Sequence, residues 1–297
     1  MQNMARRLTH VPTDESLRET TEHGSSIFPF EYYIDEIMNF VDHEIEWHWH
    51  SELEWLYMEK GSLVCCIGED RILLEEGNGM FINSKVIHHF EARGESVMPN
   101  VLFRPSFLAE EETLIYQEWI LPVLQSGRSF LLFSKDDTKA QKVMEGLHRL
   151  FLCADANERD TLQIRICAAQ LWHLFVKEYR LEMTSEVNAG SVLLQSRMRQ
   201  MMQYIQDHYT ERVTLEQIAQ AANISKSEAL RCFHTQLQKT PVEYLIEYRL
   251  SKARQLLLTT NENVSQIAAA VGMENISYFV RSFKSRYGKT PGKYRKA

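Results

Sequence analysis

The chain has 297 residues, 44% hydrophobic and 25% charged, with 33 Lys+Arg against 40 Asp+Glu and a formal net charge of −7. That length and apolar content suffice for two hydrophobic cores and exclude a disordered or fibrous chain. No window approaches the roughly 18 apolar residues of a membrane span, residues 1–20 hold no apolar leader core, and five scattered cysteines without a CxxC pair exclude a disulfide framework, so a cytoplasmic protein without a membrane partner is expected.

The net charge conceals an asymmetry. Residues 191–297 carry 16 Lys+Arg and 8 Asp+Glu, whereas the first 190 carry 17 and 32. A basic module therefore sits on an acidic one, and only the basic module suits a polyanion.

In chain order, residues 1–22 are polar and are expected to be a mobile tail. Residues 23–106 show short apolar or alternating runs divided by turn signals at Lys60-Gly61, Gly68-Glu69-Asp70, Gly77-Asn78-Gly79 and Arg93-Gly94. Strands spaced about ten residues apart, without a βαβ pattern, predict a small antiparallel β-barrel or sandwich. Within it, His48, His50 and Glu54 all fall on even positions, so on one strand their side chains share a face, and His88 joins them from a later strand. Trp47, Trp49, Trp55 and Tyr57 have the opposite parity and are assigned to packing.

Three readings of this cluster are open. His48, His50, Glu54 and His88 line a pocket for a small polar effector; or they hold a divalent metal, which imidazole and carboxylate suit; or they are half-buried polar residues that bind nothing. No cofactor is required by the first or the third.

Residues 107–187 predict a helical linker layer. The stretch 161–181 carries two apolar stripes, one through Leu162, Ile166, Ala169, Val176 and Tyr179, the other through Ile164, Cys167, Leu171, Leu174 and Leu181. A surface helix needs one stripe, so the second predicts a homodimer contact; the alternative is a helix buried within a single chain. Residues 188–194, in a polar stretch that starts at Ser185, read as a hinge.

From residue 195 to 297 the chain predicts an all-α domain containing a repeat. Ile218-Ala219, Arg231, Phe233, Thr240-Pro241 and Tyr244 return as Ile267-Ala268, Arg281, Phe283, Thr290-Pro291 and Tyr294, 49 residues on before an internal turn and 50 after it. Each copy reads as a short helix, a turn, and a second helix stopped by Thr-Pro, which is helix-turn-helix grammar. On the second helices, Ala229, Phe233 and Leu237, and likewise Phe279, Phe283 and Tyr287, form buried faces. The opposite side of the first copy offers Ser225, Lys226, Ser227, Leu230, Arg231 and His234, and that of the second Asn275, Ile276, Ser277, Tyr278, Val280, Arg281 and Lys284. A helix so equipped fits the major groove of double-stranded DNA. Between the copies, a helix over 242–258 without internal Gly or Pro would hold the two units in register.

Residues 195–296, and above all GMENISYFVRSFKSRYGKTPGKYR from Gly272 to Arg295, resemble the DNA-binding domain of the AraC/XylS family of bacterial transcription regulators. The resemblance implies two helix-turn-helix units on promoter DNA, with Arg231 and Arg281 near the duplex, and an activator that works beside RNA polymerase. The spacing HxHxxxE followed by Gly61 resembles the first motif of the cupin barrel, whose metal-binding members use those three residues and a later His. Gly77 and His88 match the second cupin motif, but Asn83 and Lys85 stand where Pro and Gly are expected.

The expected molecule is thus α+β: a cupin-like sensor barrel, a helical linker layer and an AraC-type DNA-binding domain. The expected function is sequence-specific transcription regulation, more as activator than repressor, under a small molecule such as a sugar or related metabolite. Two alternatives are a metal-dependent cupin enzyme with an appended DNA module, and a constitutive DNA-binding protein whose barrel only dimerises.

Overall fold

A computed structural model describes residues 5–14, 17–68, 70–156, 158, 160–184, 189–237 and 239–295. The chain divides into two compact units, residues 1–195 and 196–297.

The first unit is built on two antiparallel sheets. One has five strands in the order β1 (Phe30–Asp35), β8 (Met98–Phe103), β3 (Leu53–Tyr57), β6 (Gly79–Ile82) and β9 (Phe130–Phe133). The other has four, β2 (Glu44–His48), β7 (His88–Ala92), β4 (Ser62–Ile67) and β5 (Asp70–Glu75). Of the two expected forms, barrel or sandwich, the strands take two facing antiparallel sheets rather than one closed wall.

Alternation along each strand sorts its side chains between layers. Ile45, Leu56, Leu63, Cys65, Leu74, Met80, Ile82, Phe90 and Met98 make a core between the sheets. The outer face of the five-stranded sheet, with Trp55, Phe81, Val101, Phe103 and Phe133, packs against helices. Those helices follow a short helical segment, Tyr116–Ile120 and α1 (Leu121–Leu124), and are α2 (Thr138–Ala154), capped by the Asp137 carboxylate, and α3 (Thr161–Thr184). Trp55 and Phe81 meet Phe175 of α3 at ring centroid distances of 4.9 and 4.7 Å.

This layering corrects several expectations. The region 107–187 is not helical throughout, because Phe130–Phe133 hydrogen-bonds to β6 and extends the sheet. The described residues of the tail are not loose either: Arg6 bridges to Tyr33, Arg18 to Trp49, and Glu19 is buried. Its few apolar residues gave no pattern, yet Leu8 and Val11 pack onto the intersheet core. The hinge expected over 188–194 begins outside the described residues, and from Ala189 the backbone is already helical.

On α3, Ile164, Cys167 and Leu171 are buried as the second stripe requires, and so are Val176 and Tyr179 of the first, the latter against Phe133. The first half of the first stripe stays open, with Leu162 68% and Ile166 40% exposed and Ala169 exposed as well, while Leu174 of the second stripe is half-buried.

The second unit is helical. After α4 (Ala189–His208) come α5 (Leu215–Ala221) and α6 (Lys226–Leu237), then α7 (Pro241–Thr259), α8 (Val264–Ala270), α9 (Ile276–Tyr287) and α10 (Pro291–Tyr294). Helix starts follow side-chain caps: Thr214 with Gln217, Thr240 with Glu243 and Asn263 with Gln266 form reciprocal capping boxes. Helix α7, about 28 Å long at 1.5 Å per residue, packs against α5, α6, α8 and α9, so one rod carries both helical pairs.

Candidate effector cluster and nucleic-acid interface

The polar cluster lies inside the two-sheet unit. His48 ends β2 and pairs directly with His88 at the start of β7, while Glu54 belongs to β3 of the other sheet. The chain leaves one sheet after His48 and enters the other at Leu53, and His50 occupies that crossing. The parity argument is thus corrected: His48, His50 and Glu54 do not share one strand. They converge because the crossing folds back over the core.

Two hydrogen bonds hold the crossing in place, Lys85 N–H to His50 O at 2.8 Å and Ser84 Oγ–H to Ser51 O at 2.7 Å. Here the two departures from the cupin pattern find physical roles. Lys85 takes φ +64, the left-handed backbone that a glycine would adopt freely. Asn83 Nδ2 donates to Val123 O and Arg128 O, tying the sheet to the segment before β9.

All four residues are buried. Nδ1 of His48, His50 and His88 faces the carbonyls of Glu46, Glu52 and Val86 at 2.8, 3.2 and 3.0 Å. If those nitrogens carry the protons and donate them, each ring turns its Nε2 lone pair inward. The ligand-type nitrogens of the three imidazoles lie within 4.8 Å of one another. Glu54 Oε2 is 3.4 Å from His50 Nε2 and 3.2 Å from His88 Nε2, without hydrogen-bond alignment, and all three atoms are buried.

The sequence did not reveal the other half of the cluster. Glu19 Oε2 lies 3.2 Å from His23 Nε2, His23 Nδ1 is 2.9 Å from Tyr33 Oη, and the His23 and His50 rings are 5.7 Å apart. Asp35 accepts from Asn100 Nδ2 at 2.7 Å. Glu19 and His23 lie in or beside the polar tail, where no periodicity marks burial. Asp35, buried at the end of a strand that is largely apolar and aromatic, was the one available hint.

Burial and neighbouring charge set the protonation states. Burial pulls His48 down to about 3, aided by His88. Burial also opposes charge on His50 and Glu54, but Glu54 raises His50, and the two imidazoles hold Glu54 well below the usual carboxylate range. Glu19, likewise pushed up by burial, is brought to about 2 by His23, His48 and His50. Burial drives Asp35 up to about 7, against the Asn100 hydrogen bond and with help from Glu54 and Glu19.

The opposite-parity aromatics divide. Trp55 is buried in the sheet–helix core, Tyr57 is half-buried against His148, and Trp47 stacks on His89 at 5.3 Å.

In the helical unit, Ser225, Lys226, Ser227, Leu230, Arg231 and His234 are exposed along α6 and its cap. Asn275, Ile276, Ser277, Tyr278, Arg281 and Lys284 are exposed at α9, where Val280 is half-buried. Ser225 Oγ accepts from Glu228 N–H and Asn275 Oδ1 from Tyr278 N–H, so both residues are also helix caps. The 49-to-50 change of interval is localised: Asn223 and Gly272 occupy the same left-handed turn position, and Glu274 is the extra residue before the second cap.

The two copies differ in charge pairing. Arg231 is held by Glu228 at 2.6 Å, Glu228 also meets Arg197 at 3.2 Å, and Lys226 lies 3.5 Å from Glu216. Among the described residues no carboxylate is within ion-pair distance of Arg281 or Lys284.

Residues 218–297 match the family model of a helix-turn-helix domain, and residues 37–172 that of an AraC-like ligand binding domain. The chain is 30% identical over 288 residues to an uncharacterized HTH-type transcriptional regulator, YdeC, of Bacillus subtilis strain 168, covering 95% of this chain and 97% of that protein. It is 27% identical over 252 residues to the HTH-type transcriptional activator RhaS of Citrobacter koseri, covering 82% and 85%. A second Bacillus subtilis regulator, the uncharacterized YisR, matches at 37% identity over 93 residues, 31% of this chain and 32% of that one. Relatives along nearly the whole length are regulators, which sets aside the cupin-enzyme alternative. Among the described residues no helix is long and apolar enough to cross a membrane. With both of its units matched, the chain belongs to the AraC family of helix-turn-helix regulators: it is a DNA-binding transcription regulator with an N-terminal ligand-binding domain.

Proposed function

We propose that this regulator activates transcription as a homodimer on paired promoter sites, next to RNA polymerase, under the control of a small polar molecule read at the intersheet cluster. The observation that carries the sensing half is the set of buried polar atoms without aligned hydrogen bonds: Nε2 of His23, His50 and His88, Oε2 of Glu54 and Oε1 of Glu19. A buried polar atom with no partner costs roughly 1–3 kcal/mol, and here these imidazole nitrogens meet only carboxylates, at 3.2–3.4 Å and out of alignment, so a ligand that supplied aligned hydrogen bonds would bind favourably. A sugar or related metabolite, rich in hydroxyls that donate and accept, supplies them.

A divalent transition metal also fits. His48, His50 and His88 would hold it with Glu54, since the rings are anchored at Nδ1 and turn Nε2 inward. Such an ion would supply a positive charge able to bind an anionic or hydroxylated effector. Around it, Glu19, His23 and Asp35 would orient that effector and settle its protons.

On the DNA side, Arg281 and Lys284 of α9 and Arg231 of α6 are the proposed contacts with base edges and phosphates, assisted by the exposed hydroxyls of Ser227 and Ser277. For the sensor to govern the DNA unit, its ligand must bind one arrangement of the dimer more tightly than another, and DNA must then tighten ligand binding by the same factor.

The test is thermal melting of the full chain with a panel of sugars, other metabolites and divalent metals, followed by binding to promoter fragments with each hit. The expected result is a ligand that raises Tm and shifts promoter affinity, with both effects lost in His50→Gln. A chain whose promoter affinity exceeds that for random duplex but ignores every stabilising ligand would leave the constitutive reading in its place.

A further inference from the structure

A second set of metal-type ligands lies on the outer face of the four-stranded sheet, separate from the intersheet cluster. Cys66 of β4 is paired directly across from His89 of β7, and Glu91 stands two residues along β7 on the same face. Cys66 Sγ and Glu91 Oε1 are 3.9 Å apart, and His89 Nδ1 and Glu91 Oε1 are 3.8 Å apart. The three ligand atoms all lie within 4.8 Å of one another. A tetrahedral ion with bonds of 2.0–2.3 Å has ligand-to-ligand edges of roughly 3.3–3.8 Å, so little adjustment separates this arrangement from one that closes on a cation.

Two further features point the same way. His89, buried and stacked on Trp47, turns Nε2 to Glu44 Oε2 at 3.1 Å, the carboxylate-to-histidine contact that fixes a ligating ring. Its other nitrogen, Nδ1, is buried without a hydrogen-bond partner and faces the thiol and Glu91. Glu44 and Glu91 are also direct cross-strand partners, a like-charge pairing that a positive charge would relieve.

A cation is already at hand. Arg71 of β5 donates to both oxygens of Glu91 at 3.1 and 2.8 Å and reaches Cys66 Sγ at 3.5 Å. Its side chain is half exposed, so solvent can take over these contacts when it is displaced.

We propose that Cys66, His89 and Glu91 bind a zinc-class divalent ion, with Glu44 as the carboxylate that orients His89 and Arg71 as the displaceable lid over the fourth ligand position. The Cys66 thiol and the imidazole of His89, where it is protonated at Nδ1, both lose that proton to solvent as the ion binds, leaving thiolate, neutral imidazole and carboxylate as the ligands. Thiolate, imidazole and carboxylate together select a borderline-soft metal over Mg2+ or Ca2+. The ion would clasp β4 to β7, the strand that presents His88 on its other face. This site does not depend on the effector reading of the intersheet cluster, which contains no sulfur.

The test titrates Co2+ into the reduced full-length chain and reads the thiolate-to-cobalt charge-transfer absorption in the near ultraviolet. One equivalent of band is expected. It should vanish in Cys66→Ser, survive in His48→Gln, weaken by about 10–100-fold in affinity in Glu44→Gln, and tighten in Arg71→Ala, where the competing cation is gone. Should Cys66→Ser fail to fold, the opposite responses of Glu44→Gln and Arg71→Ala still decide the matter. A band that persists without Cys66, absence of any thiolate band from both the wild type and Arg71→Ala, or an Arg71→Ala variant that binds more weakly would overturn the proposal.

Discussion

Asp35 sits where the intersheet core meets the polar cluster, and burial pushes its carboxyl from 3.8 up to about 7. The folded state therefore holds this proton more tightly than the unfolded chain does. Its contribution to stability is fully present below about pH 4 and is lost as the pH rises through about 7, a change of about 4 kcal/mol at most at 1.36 kcal/mol per unit. Asp35→Asn keeps an acceptor for Asn100 and removes the titration. The variant should gain on the wild type between pH 5 and pH 8 in urea denaturation, and an equal gap at both pH values would refute this account. On the DNA side, Arg281→Ala is expected to cost roughly 1–3 kcal/mol of specific binding if the guanidinium meets a base edge, and Lys284→Ala mainly to flatten the salt dependence. Arg231→Ala should cost less than Arg281→Ala, because Arg231 must first leave Glu228. Competition binding with specific and random duplexes, at two salt concentrations, separates these effects.

Among the elements, the turn between α8 and α9 is the most constrained. Gly272 has φ +73, and a Cβ there would stand 2.6 Å from Tyr209 O and 2.8 Å from Thr210 O, backbone atoms that cannot swing aside. Gly272→Ala should destabilise the helical unit by roughly 1–3 kcal/mol and raise amide exchange in α8 and α9. Asn223→Gly, at the matching position of the first copy, should be close to neutral. Exchange rates unchanged by Gly272→Ala would contradict the close approach. The helical pairs were legible in advance because their signals are local: a four-residue apolar spacing, a cap before each helix and Thr-Pro after it. Strand β9 was not legible. Phe130–Phe133 is a four-residue apolar run whose strand character comes from its partner β6, about fifty residues away. The crossing between β2 and β3 was missed for a related reason, since parity describes one strand and says nothing of where the chain changes sheet.

For the assembled protein, the start of α3 is an apolar surface left uncovered within one chain. Ile164, Cys167 and Leu171 of one stripe and Val176 and Tyr179 of the other are buried, which leaves Leu162 and Ile166, at the exposed start of the first stripe, as the expected dimer contact. Replacing both by Glu should convert a dimer to a monomer in sedimentation at micromolar concentration while leaving the melting temperature nearly unchanged. A wild-type chain that is already monomeric would remove the homodimer from the proposal.

The duplicated DNA-binding unit, its register and its exposed cations could be read from residue order because helices and caps are made from neighbours in the chain. The sensing cluster could be read only in part. His48, His50, Glu54 and His88 were visible as a motif, but Glu19, His23 and Asp35 joined them through contacts between distant segments, and the cluster of Cys66, His89 and Glu91 arose from cross-strand pairing. Burial and pairing across a sheet depend on which strands become neighbours, and no local pattern in the chain encodes that choice.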